Sequence, residues 1–282
     1  MKTDKEDIYI RTKDFLVSNE EFYLVPNSEY GFLETHPQPA ADVLEKYYES
    51  EQYISHTDSK KGVVSFLYQV VKKYSLRKKL RLVSKLNSGE KTILDIGAGT
   101  GEFLKLAFDQ GWKVSGVEPN KKARTFAKSK KIALVSSMEE IEDRKFDVVT
   151  LWHVLEHLPD LETALEKIEG FLKPNGTLVI AVPNFNSFDA NYYKKFWAAY
   201  DVPRHLWHFS RESMHKLFSP KLELQEIRPM VFDAFYVSLL SEKYKTKRSF
   251  SLKALWIGWR SNWKARRTRE YSSLIYCYNK KN

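Results

Sequence analysis

The feature that most constrains this chain is a short apolar strand that runs directly into three closely spaced glycines and then into a helical segment. In the string Ile93-Leu-Asp-Ile-Gly-Ala-Gly-Thr-Gly-Glu-Phe-Leu104 the strand carries Asp95 near its end, and the turn holds Gly97, Gly99 and Gly101. Glycine lets the backbone turn sharply and lets a ligand approach the main chain closely. The spacing differs from the G-x-G-x-x-G dinucleotide fingerprint and from a phosphate loop.

The rest of the sequence from Lys91 onwards alternates short apolar runs with helical stretches. This alternation predicts an α/β fold with a parallel sheet that is covered on both faces. The second strand ends in Glu118-Pro119, about twenty residues after the glycines, where a carboxylate can accept both hydroxyls of a ribose. The predicted strands are 92–96, 113–117, 133–136, 146–151, 177–182, 222–228 and 271–278.

The composition of the chain excludes several classes of protein. A single cysteine, Cys277, excludes an internal disulfide and a cysteine-based zinc cage. The sequence shows no apolar run of bilayer length and no signal-peptide core at its start, so we expect a cytoplasmic setting. The net charge is +10, and the segment 243–282 alone carries 12 basic residues and one acid, Glu270. Such a cluster attracts anionic partners or is simply a solvated face.

The glycine turn, Glu118 and the segment Phe146-Asp-Val-Val-Thr-Leu-Trp-His-Val-Leu-Glu-His-Leu-Pro-Asp160 together resemble the class I S-adenosylmethionine-dependent methyltransferases. The last segment is similar to that of the subgroup that includes ubiquinone-pathway O-methyltransferases. The resemblance covers about residues 91–280. It implies a Rossmann-like, seven-stranded, mostly parallel sheet with an antiparallel last strand, and S-adenosylmethionine as the cofactor.

The resemblance also implies the residues that hold the cofactor. The glycine turn would lie under its methionine part, Glu118 would hold the ribose, and Ser137, where an acid is usual, would flank the adenine. Trp152 and His153 match positions near the sulfonium. The full expected set is Asp95, Gly97, Ala98, Gly99, Gly101, Glu118, Pro119, Ser137, Met138, Trp152 and His153.

Three histidines are the candidate catalytic residues: His153, His157 and His205. His153, Glu156 and His157 would share one helix face at i, i+3 and i+4. Related methyltransferases with Glu-x-x-Glu-His there bind a divalent metal, so a metal site is an alternative. Because the first position is histidine here, we expect no metal and a helix start that shapes the methyl-transfer pocket.

The acceptor is expected to meet the segment 200–210, because it follows the fifth strand and would pass over the carboxyl ends of the strands. It resembles an Asp-x-Pro-Arg-His segment of the same subgroup, and Tyr200, Asp201, Arg204 and His205 are the candidate acceptor residues. A buried ion pair that fixes this loop is the alternative role.

Residues 1–60 form a separate extension in the predicted domain organisation, with the methyltransferase domain at 61–282. In relatives the matching region carries a Cys-x-x-Cys-Gly zinc turn. Here Asn27 to Gly31 occupies that turn without cysteines, which predicts a small metal-free α+β ribbon. Tyr53 and His56 are candidates for a lid that closes over the cofactor and acceptor, or they belong to a plain packed helix end.

The function that these patterns favour is O-methylation of a small molecule or of a glycan or lipid precursor. An RNA methyltransferase is the alternative that the basic charge allows, but no base-methylation motif or RNA-binding module is recognisable, so nucleic acid is not the expected partner. A non-catalytic binding protein is a further alternative, which the intact glycine turn and Glu118 disfavour.

The basic tail contains an amphipathic stripe at helical spacing, made up of Leu252, Leu255, Trp256, Trp259 and Trp263. The segment lies between the last two strands, so burial of the stripe against the sheet is the favoured interpretation. Weak contact of this basic C-terminal region with a membrane surface is the alternative.

Overall fold

Two β-sheets organise the part of the chain that the computed structural model describes, which is residues 8–40, 43, 45–48, 63–87, 89–141, 143–218, 220–248 and 250–281. The lid candidates Tyr53 and His56 lie outside these residues. The strands are β1 (Ile10–Lys13), β2 (Glu21–Pro26), β3 (Leu33–His36), β4 (Thr92–Ile96), β5 (Lys113–Val117), β6 (Phe146–Trp152), β7 (Leu172–Pro183), β8 (Trp207–His208), β9 (Leu222–Pro229) and β10 (Ser273–Lys280).

The described helices lie mainly between the strands of the larger sheet. They are α1 (Val63–Leu86), α2 (Glu102–Phe108), α3 (Lys121–Ser129), α4 (Leu161–Gly170), α5 (Phe188–Tyr193), α6 (Arg211–Lys216), α7 (Asp233–Thr246) and α8 (Leu252–Thr268). Several helices begin with a side-chain cap, as where the Asn120 side chain accepts from the Ala123 N–H and the Asp160 side chain from the Thr163 N–H.

The larger sheet has the strand order β5-β4-β6-β7-β10-β9. Strands β5, β4, β6 and β7 are mutually parallel, and β10 runs antiparallel to both β7 and β9. The predicted α/β fold with an antiparallel last strand is therefore confirmed. This order places the carboxyl ends of β4, β5 and β6 side by side, where open α/β sheets bind ligands.

The expected count of seven strands in this sheet is wrong for the described residues, which give six. The run 133–136 contributes one parallel bridge, between Val117 and Val135. Beyond that bridge the chain turns away, because the Ser136 N–H bonds to the Glu140 carboxylate at 3.0 Å. A 3₁₀ turn, Met138–Ile141, follows at once.

Both faces of the larger sheet are buried, as its near-continuous apolar strands predict. One face packs against α1, α2 and α3 through residues that include Val83, Leu104 and Ala127. The other face packs against α4 and α6, with Ile168 and Met214 in its core. The helices therefore leave the carboxyl edge of the strands as the place where a site can open.

The smaller sheet joins the N-terminal region to the later chain. Its order is β1-β2-β3-β8, all antiparallel, and β8 comes from the segment predicted to meet the acceptor. The Thr35 hydroxyl donates to the His205 carbonyl oxygen at 2.6 Å. The N-terminal strands β1 to β3 thus form a sheet that is completed by a strand from beyond residue 200.

A buried ion cluster fastens these parts together. The side chain of Arg204 is 1% exposed, and its guanidinium donates to Asp14 at 2.9 Å and to Asp201 at 2.7 Å. A further N–H of the same group donates to the Tyr47 carbonyl oxygen at 3.0 Å. Asp14 also accepts from the backbone N–H of Leu16 and Ser18. One guanidinium therefore ties together three separate segments.

The amphipathic stripe of α8 lies on the opposite side from the one expected. Trp256, Trp259 and Trp263 are 49%, 54% and 55% exposed and Leu252 is 74% exposed, so the prediction that the stripe packs against the sheet is wrong. The buried positions of α8 are Ala254, Ile257, Gly258, Ser261 and Ala265. Small residues occupy this face because α7 approaches closely, and a Cβ on Gly258 would lie 2.8 Å from the Phe235 Cα.

Within the described part of the chain, no helix has the length and apolar character needed to cross a membrane.

Replacing Arg204 with Met is expected to destabilise the fold by about 3–5 kcal/mol, because it leaves two buried carboxylates without their counter-charge. Urea denaturation measures the change. Lys216→Met is the matched control, since Lys216 pairs with Glu212 at 2.7 Å on the surface, where such pairs contribute about 1 kcal/mol or less. Equal stability of the two variants would contradict the role given to the ion cluster.

Candidate functional site

The glycine turn after β4 forms the floor of the candidate site. Gly97, Gly99 and Gly101 have φ values of 71°, 54° and 71°, a region that favours glycine. A Cβ on Gly97 would lie 2.3 Å from the Val154 Cγ2, whereas a Cβ on Gly99 would meet nothing within 4 Å. The turn is therefore closed against the protein at Gly97 and open on its outer side at Gly99.

Glu118, at the end of β5, lies across this open side. One carboxylate oxygen accepts the Gly99 N–H and the other accepts the Asn120 N–H, each at 2.8 Å. These two bonds fix the carboxylate at the turn, while each oxygen keeps a lone pair for a further donor. This is the arrangement that a ribose diol needs.

The other residues predicted for the cofactor are arranged along the same edge. The Gly97 and Ala98 N–H groups bond to the Val117 carbonyl oxygen at 2.8 and 2.9 Å, which joins the turn to the end of β5. Pro119 is exposed. Ser137 and Met138 are half-buried at the start of the 3₁₀ turn that follows the Val135 bridge.

Asp95 lies beneath the turn and does not face solvent. It is 2% exposed, and the Thr150 hydroxyl donates to its Oδ1 at 2.6 Å. Burial raises the pKa of Asp95 to about 7, although the bond from Thr150 and the charge of Lys79 act in the opposite direction. The Asp95 side chain is therefore held inside the sheet by its bond with Thr150.

Lys79 on α1 is a residue that the sequence analysis did not predict. Its Nζ lies 4.3 Å from the centre of the Trp152 ring, and burial lowers its pKa. Among the described residues, no carboxylate oxygen lies within ion-pair distance of it. The Trp152 Nε1 is buried and also has no hydrogen-bond partner there. The local sequence does not distinguish Lys79 from the other basic residues of α1. Its burial next to Trp152 results from the packing of α1 against the sheet.

His153 occupies the point where β6 ends. Its φ of 59° is unusual for a non-glycine residue, and its ring lies between two carboxylates. Nδ1 is 3.3 Å from Glu156 and Nε2 is 3.2 Å from Asp233 of α7. Burial alone would lower the pKa of His153, but the hydrogen bonds to Asp233 and Glu156 outweigh it and raise the pKa to about 9.

His157, which is half-buried, and the buried His205 form a pair of contacting rings. Their ring centres are 4.6 Å apart, and the His157 Nδ1 lies 3.0 Å from both the Tyr48 hydroxyl and the Arg204 carbonyl oxygen. Burial and the neighbouring His205 lower the pKa of His157 to about 4. Ligand atoms of Glu156, His157 and His205 lie within 4.8 Å of one another, a grouping that could hold a metal ion.

The four candidate acceptor residues are largely withdrawn from solvent. Asp201 and Arg204 belong to the ion cluster, Tyr200 is 2% exposed, and the His205 Nδ1 bonds to the Ala199 carbonyl oxygen at 2.9 Å. The structure therefore brings Asp201 and Arg204 together in the arrangement considered as the alternative, a buried ion pair that fixes the loop. Tyr200 packs edge-on against the rings of Trp197 and His208.

A cleft opens between α1 and the loop that joins β9 to α7. Its walls are mainly apolar, and the cations Lys78, Lys79 and Arg228 are among its lining residues. Asp233 lies in this cleft and links it to His153. The remaining lining residues are Tyr74, Ser75, Leu82, Pro229, Met230, Val231, Phe232 and Ile275.

Because the pKa of His153 is raised above its ordinary value, its pairing with Asp233 stabilises the fold fully below about pH 6.5. That stabilisation is lost as the pH rises through about 9. Asp233→Asn is expected to lower the pKa of His153 and to lower the melting temperature more at pH 6 than at pH 10. NMR titration of the His153 ring and thermal melts check this. An unchanged His153 pKa in the variant would contradict the pairing.

Comparison with known proteins places this site in a family. A methyltransferase-domain family model matches residues 68–220, more than half of the chain. A ubiquinone biosynthesis O-methyltransferase from Bradyrhizobium diazoefficiens is 34% identical over 39% of this chain and 47% of that protein. The Rickettsia felis protein of the same name is 26% identical over 68% of this chain and 86% of its own length. The alignments with the first two curated relatives span about half of their lengths.

The fold is also similar to that of a solved structure, the geranyl diphosphate C-methyltransferase from Streptomyces coelicolor A3(2). The TM-score is 0.53 at 12% identity, with 85% of this chain and 97% of that chain covered. At this identity the likeness bears on the fold. The chain belongs to the methyltransferase domain family.

Proposed function

We propose that the protein transfers a methyl group from S-adenosylmethionine to an oxygen atom of a small-molecule acceptor that binds in the cleft between α1 and the β9–α7 loop. One arrangement carries the proposal: Gly99 has room on its outer side, the Glu118 carboxylate is fixed beside it, and among the described residues Lys79 has no carboxylate partner and the Trp152 Nε1 no hydrogen-bond partner. The curated relatives named above as O-methyltransferases support oxygen as the accepting atom.

The residues present fit the cofactor part by part. Glu118 would accept the two ribose hydroxyls, and Gly99 leaves room for the ligand against the main chain. Lys79 would pair with the methionine carboxylate, since a half-buried cation without a carboxylate partner stabilises an anion at this point. The Trp152 Nε1, which has no hydrogen-bond partner among the described residues, would donate to an acceptor atom at the methionine end of the cofactor. Ser137 and Met138 would flank the adenine.

The cofactor, when bound, supplies a methyl group on a sulfonium that is already electrophilic. The chain must therefore align the acceptor oxygen and exclude water. His153, held as an imidazolium between Asp233 and Glu156, would use both ring N–H groups to hold the Asp233 carboxylate in place at the cleft. Asp233, which lines the cleft, would accept the proton of an acceptor hydroxyl. His157 and His205 are positioning residues in this proposal, because they lie behind Glu156.

The cleft favours an acceptor with an apolar body and an acidic group. Leu82, Met230 and Ile275 would cover the apolar body, and Lys78 and Arg228 would meet the acidic group. A precursor with a long apolar chain fits this description, as does a small aromatic acid.

Glu118→Ala is expected to weaken binding of S-adenosylhomocysteine by about tenfold or more, because charge-assisted hydrogen bonds to the ribose are lost. Lys79→Met is expected to weaken it to a similar degree. Calorimetry with 5′-methylthioadenosine separates the two roles. This ligand keeps the ribose but lacks the methionine carboxylate, so Glu118→Ala should weaken its binding and Lys79→Met should not.

Glu223→Ala serves as the control for these titrations, since Glu223 is exposed on β9 and far along the chain from the turn. Unchanged affinity for S-adenosylhomocysteine in the Glu118 variant would overturn the ribose assignment. A Lys79 variant that loses both ligands equally would overturn the carboxylate assignment.

Cofactor binding is expected to need no metal, which stays a prediction. Protein treated with a chelator should bind S-adenosylhomocysteine as tightly as untreated protein, and elemental analysis should find no stoichiometric divalent ion. One bound ion per chain that is lost in a Glu156→Gln variant would contradict this and would assign the Glu156, His157 and His205 grouping to a metal.

A further inference from the structure

The outer face of α8 carries three exposed tryptophans that the methyltransferase site does not use. We infer that this face is a docking surface for an anionic phospholipid bilayer, with the tryptophans at the lipid interface and the surrounding basic residues on the headgroups. The surface consists of Leu252, Trp256, Trp259, Trp263 and the basic residues Lys253, Arg260, Lys264, Arg266 and Arg267.

The direction of the face follows from helical geometry. At about 100° per residue, Leu252, Trp256, Trp259 and Trp263 lie on one narrow stripe of α8. The buried residues of the same helix, such as Ala254, lie on the opposite stripe. The tryptophans therefore point directly away from the protein. A soluble helix normally places its large apolar residues toward the core, so α8 is reversed.

The charge of the face matches an anionic surface. The helix contains five basic residues and no Asp or Glu. On one flank the cations are held in place by aromatic rings. The Arg260 guanidinium carbon lies 5.0 Å from the Trp256 ring centre, and the Lys264 Nζ lies 4.4 Å from that of Phe188. Tryptophan flanked by Lys and Arg is the composition of helices that lie in the plane of a membrane interface.

A lipid surface fits this face better than single-stranded nucleic acid does. Nucleobases bind by stacking on free aromatic faces within a groove. Here the rings of Trp259 and Trp263 lie nearly parallel to each other, 6.4 Å apart at their centres and inclined by 16°. These rings stand on the convex surface of a helix and do not line a groove. Large aromatic side chains on a convex ridge suit insertion between headgroups.

The docking surface adjoins the proposed acceptor cleft. The Asn262 side chain of α8 donates to the Val231 carbonyl oxygen at 2.8 Å, and Val231 lines the cleft. Phe232, next in the chain and 41% exposed, lies at the same rim. Docking would thus bring the cleft close to the bilayer, where an acceptor with an apolar chain resides. This last step rests on the proposed function, but the docking itself does not.

Sedimentation with lipid vesicles tests the inference. The protein is expected to bind vesicles of phosphatidylcholine and phosphatidylglycerol in equal amounts, to bind pure phosphatidylcholine at least about tenfold more weakly, and to be released by salt. Replacing Trp256, Trp259 and Trp263 together with Ser should weaken binding by at least about tenfold. The double variant Arg266→Glu with Arg267→Glu should do the same.

Matched controls come from exposed residues of other helices. Phe108→Ser with Phe126→Ser removes two aromatic rings that are as exposed as the tryptophans, and Lys122→Glu with Lys128→Glu reverses two charges on α3. Both should keep vesicle binding. Calorimetry with S-adenosylhomocysteine on every variant reports the fold and the cofactor site separately, so a failure of the proposed function is distinguishable from a failure of docking.

The inference is overturned by absence of vesicle binding at low salt, or by tryptophan variants that bind like the wild type. It is equally overturned if the α3 controls lose binding to the same extent as the α8 variants, or if α8 binds a single-stranded oligonucleotide and not the vesicles. In the supporting case, vesicles with brominated acyl chains quench the tryptophan fluorescence of the wild type, and the serine variant loses most of that quenching.

Discussion

The guanidinium of Arg204 is the interaction on which the arrangement of this molecule depends. Its five donors are rigid and planar, and they meet Asp14 after β1, the carbonyl oxygen of Tyr47 and Asp201 in the loop after β7. The carbonyl oxygen of the same residue bonds to the His157 ring at 3.0 Å. A buried charge is costly unless it is fully paired, so this cluster tolerates few other geometries. The ion cluster therefore fixes the relative positions of the small sheet, the loop that contains Asp201 and the pair of His157 and His205.

The charged groups of the candidate site lie at one edge of the large sheet but in different local environments. Glu118 follows β5, and Glu156 and Asp233 flank His153 after β6. Asp95 is buried on β4, the strand that lies between those two. Each group has a different environment, and the results diverge accordingly: burial raises the pKa of Asp95 to about 7, paired carboxylates raise that of His153 to about 9, and burial lowers that of His157 to about 4. Such separation of pKa values is what enzymes use to assign proton donors and acceptors.

Local sequence patterns predict much of the fold, and the remainder depends on tertiary packing. The glycine turn and the six strands follow from short-range signals that need no partner to be recognised, whereas the antiparallel last strand was expected from the family resemblance. The run 133–136 does not form a full strand, because it pairs with β5 at a single bridge, between Val117 and Val135. Arg204 was predicted to bind the acceptor, because the sequence shows the charge of this residue but not its burial. Lys79 was not predicted, because its burial beside Trp152 depends on how α1 packs, which the sequence does not show. The stripe of α8 was recognised, but spacing reports that residues share a face and not which way the face points.

The small sheet has one strand, β8, that is separated from its partner β3 by most of the chain. The bond between the Thr35 hydroxyl and the His205 carbonyl oxygen spans 170 residues, and closing so long a loop carries an entropic cost that local contacts do not. On the ribosome, β1 to β3 emerge first, yet the edge of β3 stays unpaired until residues 207–208 follow. An unpaired edge is a template for pairing with other chains. The nascent chain therefore carries an open sheet edge from the synthesis of β3 until that of β8.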